Sequence, residues 1–434
     1  MIGRPDGGSI QMQSGQKPPA IIIGLDCTTG LQSARILASH NIPVIAIARD
    51  RTHYCCATRV CKRIVVAETG SSELVDALAR LGKELDQKAV LFPCTDASVL
   101  LISRHRRSLA RWYHVLLPEP DVVETLTDKA AFYTYAQAQG LAVPRTVVLS
   151  ARSDAEEATR ELEFPCIVKP SLKSSQWARQ TKAKAFKVAD AQELLAVYDR
   201  CSGWAQTMIA QEWVGGTDAD LYTCNCYFDA RSMPLVTFVS RKLRQWPPET
   251  GVGCFAEECR NETVLQETIR LFRGARYRGL GYLEMKRQER TGRYFITEAN
   301  IGRPTGRSAM AEAGGVDLLY AAYCDALGWP PPANLRQKYD GVRWIYWRQD
   351  LQSAWCQWRR GGLTLSEWWR SLRGPKVDAV FCWTDPVPFL RDLLRAMTLV
   401  IAPKKQANVS GREKQQKLAT ADAVSGQRTG EEMS

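Results

Sequence analysis

The stretch that decides the fold runs Leu283-Glu284-Met285-Lys286, then Glu289-Arg290-Thr291-Gly292-Arg293, then Phe295-Ile296-Thr297-Glu298-Ala299-Asn300. Two apolar, β-prone runs flank a Thr-Gly turn, the pattern of a hairpin. Glu284 and Glu298 lie equally far from Thr291, so simple pairing sets them opposite one another. Asn300 follows Glu298 by two and shares its face of the strand. Three oxygen ligands then converge from adjacent strands. Two carboxylates held together repel unless a cation or a proton lies between them. Oxygen donors without His or Cys suit Mg²⁺, above all when phosphate oxygens complete its shell. The alternative is an exposed hairpin with solvated acids.

The rest of the chain sets limits on what surrounds that hairpin. Its 434 residues leave room for two to four domains at roughly 100–200 residues each. Apolar content of 45% against 24% charge is ordinary for a globular protein with sizeable cores. No apolar run reaches the ~18–20 residues of a transmembrane helix. Met1–Ala20 is polar and lacks the apolar segment and cleavage site of a signal peptide, so a cytoplasmic protein is expected. Fourteen cysteines, many inside apolar runs such as Pro165-Cys166-Ile167-Val168, then read as reduced, small hydrophobes. Cys55, Cys56 and Cys61 lack zinc-like spacing, with His53 their only nearby histidine. A net charge of +12 is spread along the chain without a nucleic-acid module, so no specific nucleic acid is expected. Basic residues beside a phosphate site explain part of it.

Residues 1–18 and 403–434 are polar and poor in large apolar side chains, and disorder is expected there. Between 19 and 125, Ala20-Ile21-Ile22-Ile23-Gly24 reads as a buried strand, 31–39 as a helix and 43–48 as a second strand. Ala89–Phe92 and Val115–Leu117 add further strands, with helices over 72–85 and 97–110. Such alternation predicts a parallel sheet. The loop Gly24–Gly30 opens a helix but lacks a full dinucleotide fingerprint, and a packing turn is the expected role. Asp128-Lys129 starts a helix that stops at Gly140, and Thr146–Leu149 and Phe164–Lys169 follow as strands. Residues 221–228 and 235–239 alternate as an antiparallel pair, 262–276 is helical, and Gly314-Gly315 breaks a helix that Asp317 restarts. Residues 331–402 interleave Trp344, Trp347, Trp355, Trp358, Trp368, Trp369 and Trp383 with arginines. A small helical cap packing these rings against the body is expected. A membrane-surface contact is the alternative partner for such a segment, as is stacking on bases.

In chain order stand Lys129, Lys169, Ser174-Ser175, Gln211-Glu212-Trp213-Val214, Asp218, Arg241-Lys242, then Glu284, Glu298 and Asn300. This succession resembles the ATP-grasp superfamily across residues 20–330. The resemblance implies an α/β fold with an α+β clamp: an N-terminal parallel-sheet domain (19–125), an ATP-grasp domain of two lobes (126–210 and 211–330), and the Trp-rich cap. It further implies that Lys129, Lys169, Ser174 and Ser175 meet the phosphates of ATP. Gln211, Glu212 and Val214 would form the adenine hinge and Asp218 would meet the ribose. Glu284, Glu298 and Asn300 would hold Mg²⁺, with Mn²⁺ as the alternative. Tyr227-Phe228-Asp229 through Arg241-Lys242-Leu243-Arg244-Gln245-Trp246-Pro247 is most similar to the carboxylate–amine ligases of D-aspartate ligase type.

That branch implies ligase chemistry. ATP converts a small-molecule carboxylate to an acyl phosphate, and an amine then attacks to form an amide with release of ADP and phosphate. Arg241, Lys242, Arg303 and Arg307 are the candidates to neutralise phosphate or grip a carboxylate, which Arg does bidentately. A carboxylation or phosphorylation chemistry, or a non-catalytic ATP-binding module, are the competing expectations. A homodimer is compatible with the sequence. Two departures stand out: the phosphate loop Ser171-Leu172-Lys173-Ser174-Ser175 lacks glycine, and Gly302-Arg303-Pro304 follows Asn300 where the family more often has Pro-Arg.

Overall fold

The computed structural model describes residues 17–401 apart from 173, 174 and 250, and leaves aside the side chains of 175 and 398–401. The tails expected to be disordered thus lie outside the described residues, except for Lys17 and Pro18.

The N-terminal unit is built on β1 (Ala20–Ile23), α1 (Thr28–Ser39), β2 (Val44–Ala48), β3 (Cys61–Val66), α2 (Ser72–Lys83), β4 (Ala89–Pro93), α3 (Asp96–Arg104), α4 (Arg106–Leu109), β5 (Tyr113–His114) and α5 (Pro120–Thr127). Its five strands pair in parallel in the order β3-β2-β1-β4-β5. Every residue of central β1 is buried, because helices cover both faces of such a sheet. Strand β3 was not legible as a strand. It is an edge strand that carries charged Lys62 and Arg63 outward. Val115–Leu117, expected as strand, instead follows β5 as connecting chain. There the Leu116 carbonyl approaches Gly279 so closely that a Cβ would stand 2.3 Å from it. The Gly24–Gly30 loop does serve packing, since a Cβ on Gly30 would meet the Gly24 carbonyl at 2.2 Å.

Next come α6 (Lys129–Ala138), β6 (Thr146–Leu149), α7 (Arg152–Glu161), β7 (Cys166–Pro170), α8 (Ser175–Gln180), β8 (Phe186–Val188), α9 (Ala191–Cys201) and β9 (Met208–Glu212). Four strands form the antiparallel sheet β6-β9-β7-β8. Its core holds Trp177, Val168, Leu194 and Met208. Pro170 ends β7, as expected of a residue without a ladder donor.

The larger lobe contains β10 (Leu221–Phe228), β11 (Pro234–Trp246), β12 (Val252–Glu258), α10 (Glu262–Gly274), β13 (Gly279–Arg287), β14 (Tyr294–Ile301), α11 (Ser308–Ala313) and α12 (Leu318–Ala326). The chain continues through β15 (Arg343–Ile345), α13 (Trp347–Arg359), α14 (Leu365–Ser371), β16 (Lys376–Asp378) and α15 (Val387–Ile401). One sheet of seven strands, ordered β14-β13-β10-β11-β12-β15-β16, unites them. The C-terminal segment is therefore more than a helical cap, because β15 and β16 extend the lobe's sheet. A buried ion pair ties it down, with Arg244 Nε on β11 2.6 Å from Asp350 Oδ1 on α13. Aromatic packing explains only part of its tryptophan. Trp344 is buried, but Trp355, Trp358, Trp369 and Trp383 are exposed. All fourteen cysteines are free thiols. No helix among the described residues is long and apolar enough to cross a membrane.

Candidate functional site

The hairpin of β13 and β14 forms as its sequence predicts, turning at Thr291 and Gly292, whose φ of +68° favours glycine. Glu284 and Glu298 pair directly across the ladder. Strand alternation places Glu284, Thr223 of β10 and Lys242 of β11 on one face. On that face the buried Lys242 Nζ donates to Glu284 at 3.1 Å, and Arg307 Nη2 lies 3.7 Å from the same carboxylate. Burial, with Arg307 adding to it, pushes the Lys242 amine below its ordinary value, while Glu284 opposes that fall.

Glu298 faces a second set of cations. Lys129, the first residue of α6, sits 3.3 Å away. Burial favours the neutral carboxyl, but Lys129, Lys169 and Arg303 together hold Glu298 down at about 2. Lys184, in the loop before β8, adds to this field and carried no sequence signal. Lys169, next to last in β7, donates from its amine to Gln211 Oε1 at 3.1 Å and to Tyr133 OH at 3.4 Å. Burial first and Lys129 second lower its pKa to about 8, with Glu298 opposing.

The structure brings together Lys129, Lys169, Lys242, Glu284, Glu298, Asn300, Arg303 and Arg307. Arg241 is not with them. It faces the opposite side of β11, paired with Glu257 at 2.6 Å, because neighbours on a strand point to opposite faces. The Gln211 side chain is taken up within the protein. Its carbonyl receives Lys169 and its amide donates to Thr146 Oγ1 at 2.7 Å, which makes it a strut for the lysine. Glu212 gives its N–H to Arg145 and its carboxylate accepts from Glu163 N. Among the described residues the Val214 N–H at the hinge finds no acceptor. Beside it the Trp213 ring lies between Lys187 and Lys286, 4.4 and 4.8 Å from its centroid.

Asp218 accepts from Gln245 N, Gln245 Nε2 and Glu249 N, at 3.0, 2.9 and 3.0 Å. A carboxylate offers about four acceptor positions, so one remains for a ligand hydroxyl. Its main work in this structure is to hold the turn after β11. Arg303 reaches three partners: Asp96 at the start of α3, Tyr282 OH at 2.6 Å and Asn300 Oδ1 at 2.6 Å. It therefore links the N-terminal unit to the hairpin. Asp96 could have been sought at the carboxyl end of β4, where parallel sheets present functional groups. Ser174 lies outside the described residues, as does the side chain of Ser175.

Glu284 and Glu298 offer carboxylate oxygens without His or Cys, the donor type that suits Mg²⁺, and in this structure Lys242 and Lys129 take those oxygens. Asn300 fits less directly. Its oxygen is held by Arg303, and its buried Nδ2 has no partner among the described residues.

No family model matches the chain. A D-aspartate ligase of Enterococcus faecium (strain Aus0004) is 24% identical over 249 residues, which covers 54% of this chain and 59% of the relative. A D-alanine–D-alanine ligase of Pseudomonas putida (strain GB-1) is 25% identical over 168 residues, or 38% of this chain and 51% of the relative. The chain thus spans between half and three fifths of the length of these curated relatives. Among solved structures, a biotin carboxylase from Campylobacter jejuni in a β-γ-ATP complex superposes with a TM-score of 0.59 at 13% identity, covering 76% of this chain and 75% of that one. An N5-carboxyaminoimidazole synthetase from Staphylococcus aureus complexed with ADP gives 0.59 at 11% identity, covering 76% and 83%. The chain has the ATP-grasp fold.

Proposed function

We propose that this protein is an ATP- and Mg²⁺-dependent carboxylate–amine ligase that forms an amide bond through an acyl phosphate. The observation that carries the reading is the direct pairing of Glu284 with Glu298, ringed by Lys129, Lys169, Lys242 and Arg307. Phosphoryl transfer asks a protein for alignment and charge neutralisation rather than covalent help. The site supplies both. Lys129 and Lys169 enter from the small lobe and take the polyphosphate as fixed point charges. The Val214 N–H serves the adenine edge, and Asp218 retains one acceptor position for the ribose. Mg²⁺, held by Glu284 and Glu298, with Asn300 joining once its amide turns from Arg303, would neutralise charge on the phosphates. Lys242 and Arg307, released from Glu284, face the group to be transferred and stabilise the acyl phosphate. Attack by an uncharged amine then expels phosphate.

ATP, Mg²⁺ and paired pools of carboxylates and amines test this by ADP release and product mass. Release that requires both co-substrates, with a product lighter by water than their sum, supports ligation. Release that needs no amine points to phosphorylation instead. A second property is favoured by the exposed Trp355, Trp358, Trp369 and Trp383 among arginines: contact with an anionic membrane surface. Salt-sensitive binding to phosphatidylserine vesicles tests it, and absence of binding at low salt removes it.

A further inference from the structure

A cavity of ≈ 390 Å³ lies between the N-terminal loops and the C-terminal segment, lined among others by Thr28, Tyr54, Gly253, Tyr346, Arg348 and Asp392. It adjoins the cations at Glu284. A Cβ built on Gly253 would stand 3.1 Å from Arg307 Nη1 and 3.4 Å from Lys242 Cδ. Gly306, one residue before Arg307, packs equally tightly on the first turn of α1, with its Cβ position 3.2 Å from Thr28 Oγ1. Gly253 is thus a shared wall between the cavity and the cations at Glu284.

Its wall is polar and built. Tyr346 OH donates to Asp392 Oδ2 at 3.0 Å and lies 3.0 Å from Tyr54 OH. Arg348 Nε donates to Asp392 Oδ2 at 3.3 Å, and its Nη2 donates to Tyr346 OH. Tyr54, Tyr346 and Asp392 are all buried. Among the described residues Arg348 Nη1 has no partner, so the guanidinium keeps donors in reserve. A lone guanidinium would select an anion and a lone carboxylate a cation. Presented side by side in one concavity, the two suit a molecule that carries both charges.

We propose that this cavity binds the amino-acid substrate of the ligation, with Arg348 gripping a carboxylate and Asp392 receiving the ammonium. The C-terminal segment is then a wall of the active site, with Tyr346 fixing the two charged groups in place. This rests on the ligase reading for the identity of the reaction, but the binding itself can be measured without turnover. The full-length protein is titrated with D-aspartate, D-alanine, their L-enantiomers and succinate, which lacks the amine, using ligand-observed NMR. At least one amino acid should bind the wild type more tightly than succinate does. Arg348→Gln should weaken that binding at least ~10-fold, as loss of a charge-assisted contact does, while ATP affinity stays within about threefold. Retained ATP binding shows that the variant is folded. Should Arg348→Gln not fold, Tyr346→Phe and Arg348→Lys take its place, and each should weaken the amino acid selectively.

Equal amino-acid binding by wild type and variants overturns the assignment, as does failure of every amino acid to bind. ADP release is scored separately. Turnover without an effect of Arg348 removes the pocket alone, whereas amino-acid binding at Arg348 without any ligation removes the ligase reading alone.

Discussion

Replacing Lys169 with methionine should make the unliganded protein more stable and its ATP binding weaker. The lysine sits in a place that disfavours its charge: burial first and Lys129 second lower its pKa from the ordinary 10.5 to about 8. At neutral pH, holding the amine charged there costs about 3 kcal/mol, at ~1.36 kcal/mol for each tenfold change in proton affinity. Methionine fills a similar volume without charge. It gives up the contacts to Gln211 and Tyr133, a loss of roughly 1 kcal/mol for net hydrogen bonding. The balance is a gain of about 2 kcal/mol, or several degrees in Tm at ~2–4 °C per kcal/mol for a domain of this size. The pH dependence carries the sign. Between the folded value near 8 and the unfolded 10.5, the unfolded chain binds more protons, so wild-type stability rises with pH across that window. The variant lacks this contribution, so its advantage is full below pH 8 and fades toward pH 10.5. Urea denaturation of both proteins from pH 7 to 10 reads the difference, and a titration with Mg·ATP should show at least ~10-fold weaker binding by the variant. A variant less stable than wild type at pH 7, or a stability difference that does not change with pH, would refute the reasoning.

Three further outcomes follow from the same geometry. Glu298→Gln leaves Lys129 and Lys169 uncompensated, so its urea midpoint at pH 7 should fall. Because folded Glu298 titrates near 2 rather than 4.5, its stabilising contribution is complete above 4.5 and disappears as pH falls through 2. The variant's acid limb should therefore be flatter over that interval. Lys242→Ala should lower turnover in the proposed ligase reaction ~10²-fold or more. Arg241→Ala, on the far face of β11, should change it less than about threefold, and equal losses in steady-state assays would contradict the assigned faces. Asp350→Ala strands Arg244 and the Trp368 indole in the interior, a loss of about 3–5 kcal/mol for a broken buried pair. Urea unfolding should show it, with faster proteolysis in the 343–401 segment.

The hairpin was legible because its signal is local. Equal spacing from Thr291 paired Glu284 with Glu298, and the bulge just beyond Glu284 leaves that pair intact. Lys129 and Lys169 were legible by their order along the chain, not by local pattern. What sequence could not supply was which face each neighbour takes. Arg241 and Lys242 are equally basic, and only the register of β11 on β10 decides that Lys242 turns toward Glu284. Gln211 reads as part of a hinge by position, yet the ladder with β6 and β7 turns its amide onto Lys169. Arg303 and Asp96 are 207 residues apart, and no pattern joins them before the units pack. The C-terminal segment misled for a related reason. β15 and β16 span three residues each, too short to show alternation, and their strand character depends on their partners, β12 for β15 and β15 for β16.

The central claim is that Glu284 and Glu298 form the metal and nucleotide end of the site. Calorimetric titration of the wild type, Glu284→Ala and Glu298→Ala with ATP, in excess Mg²⁺ and in excess EDTA, tests it most directly. Wild type should bind ATP at least ~10-fold more tightly with Mg²⁺ than with EDTA, a gain of about 1.4 kcal/mol or more, and both variants should lose that gain. Variants that keep the full Mg²⁺-dependent gain would contradict the account.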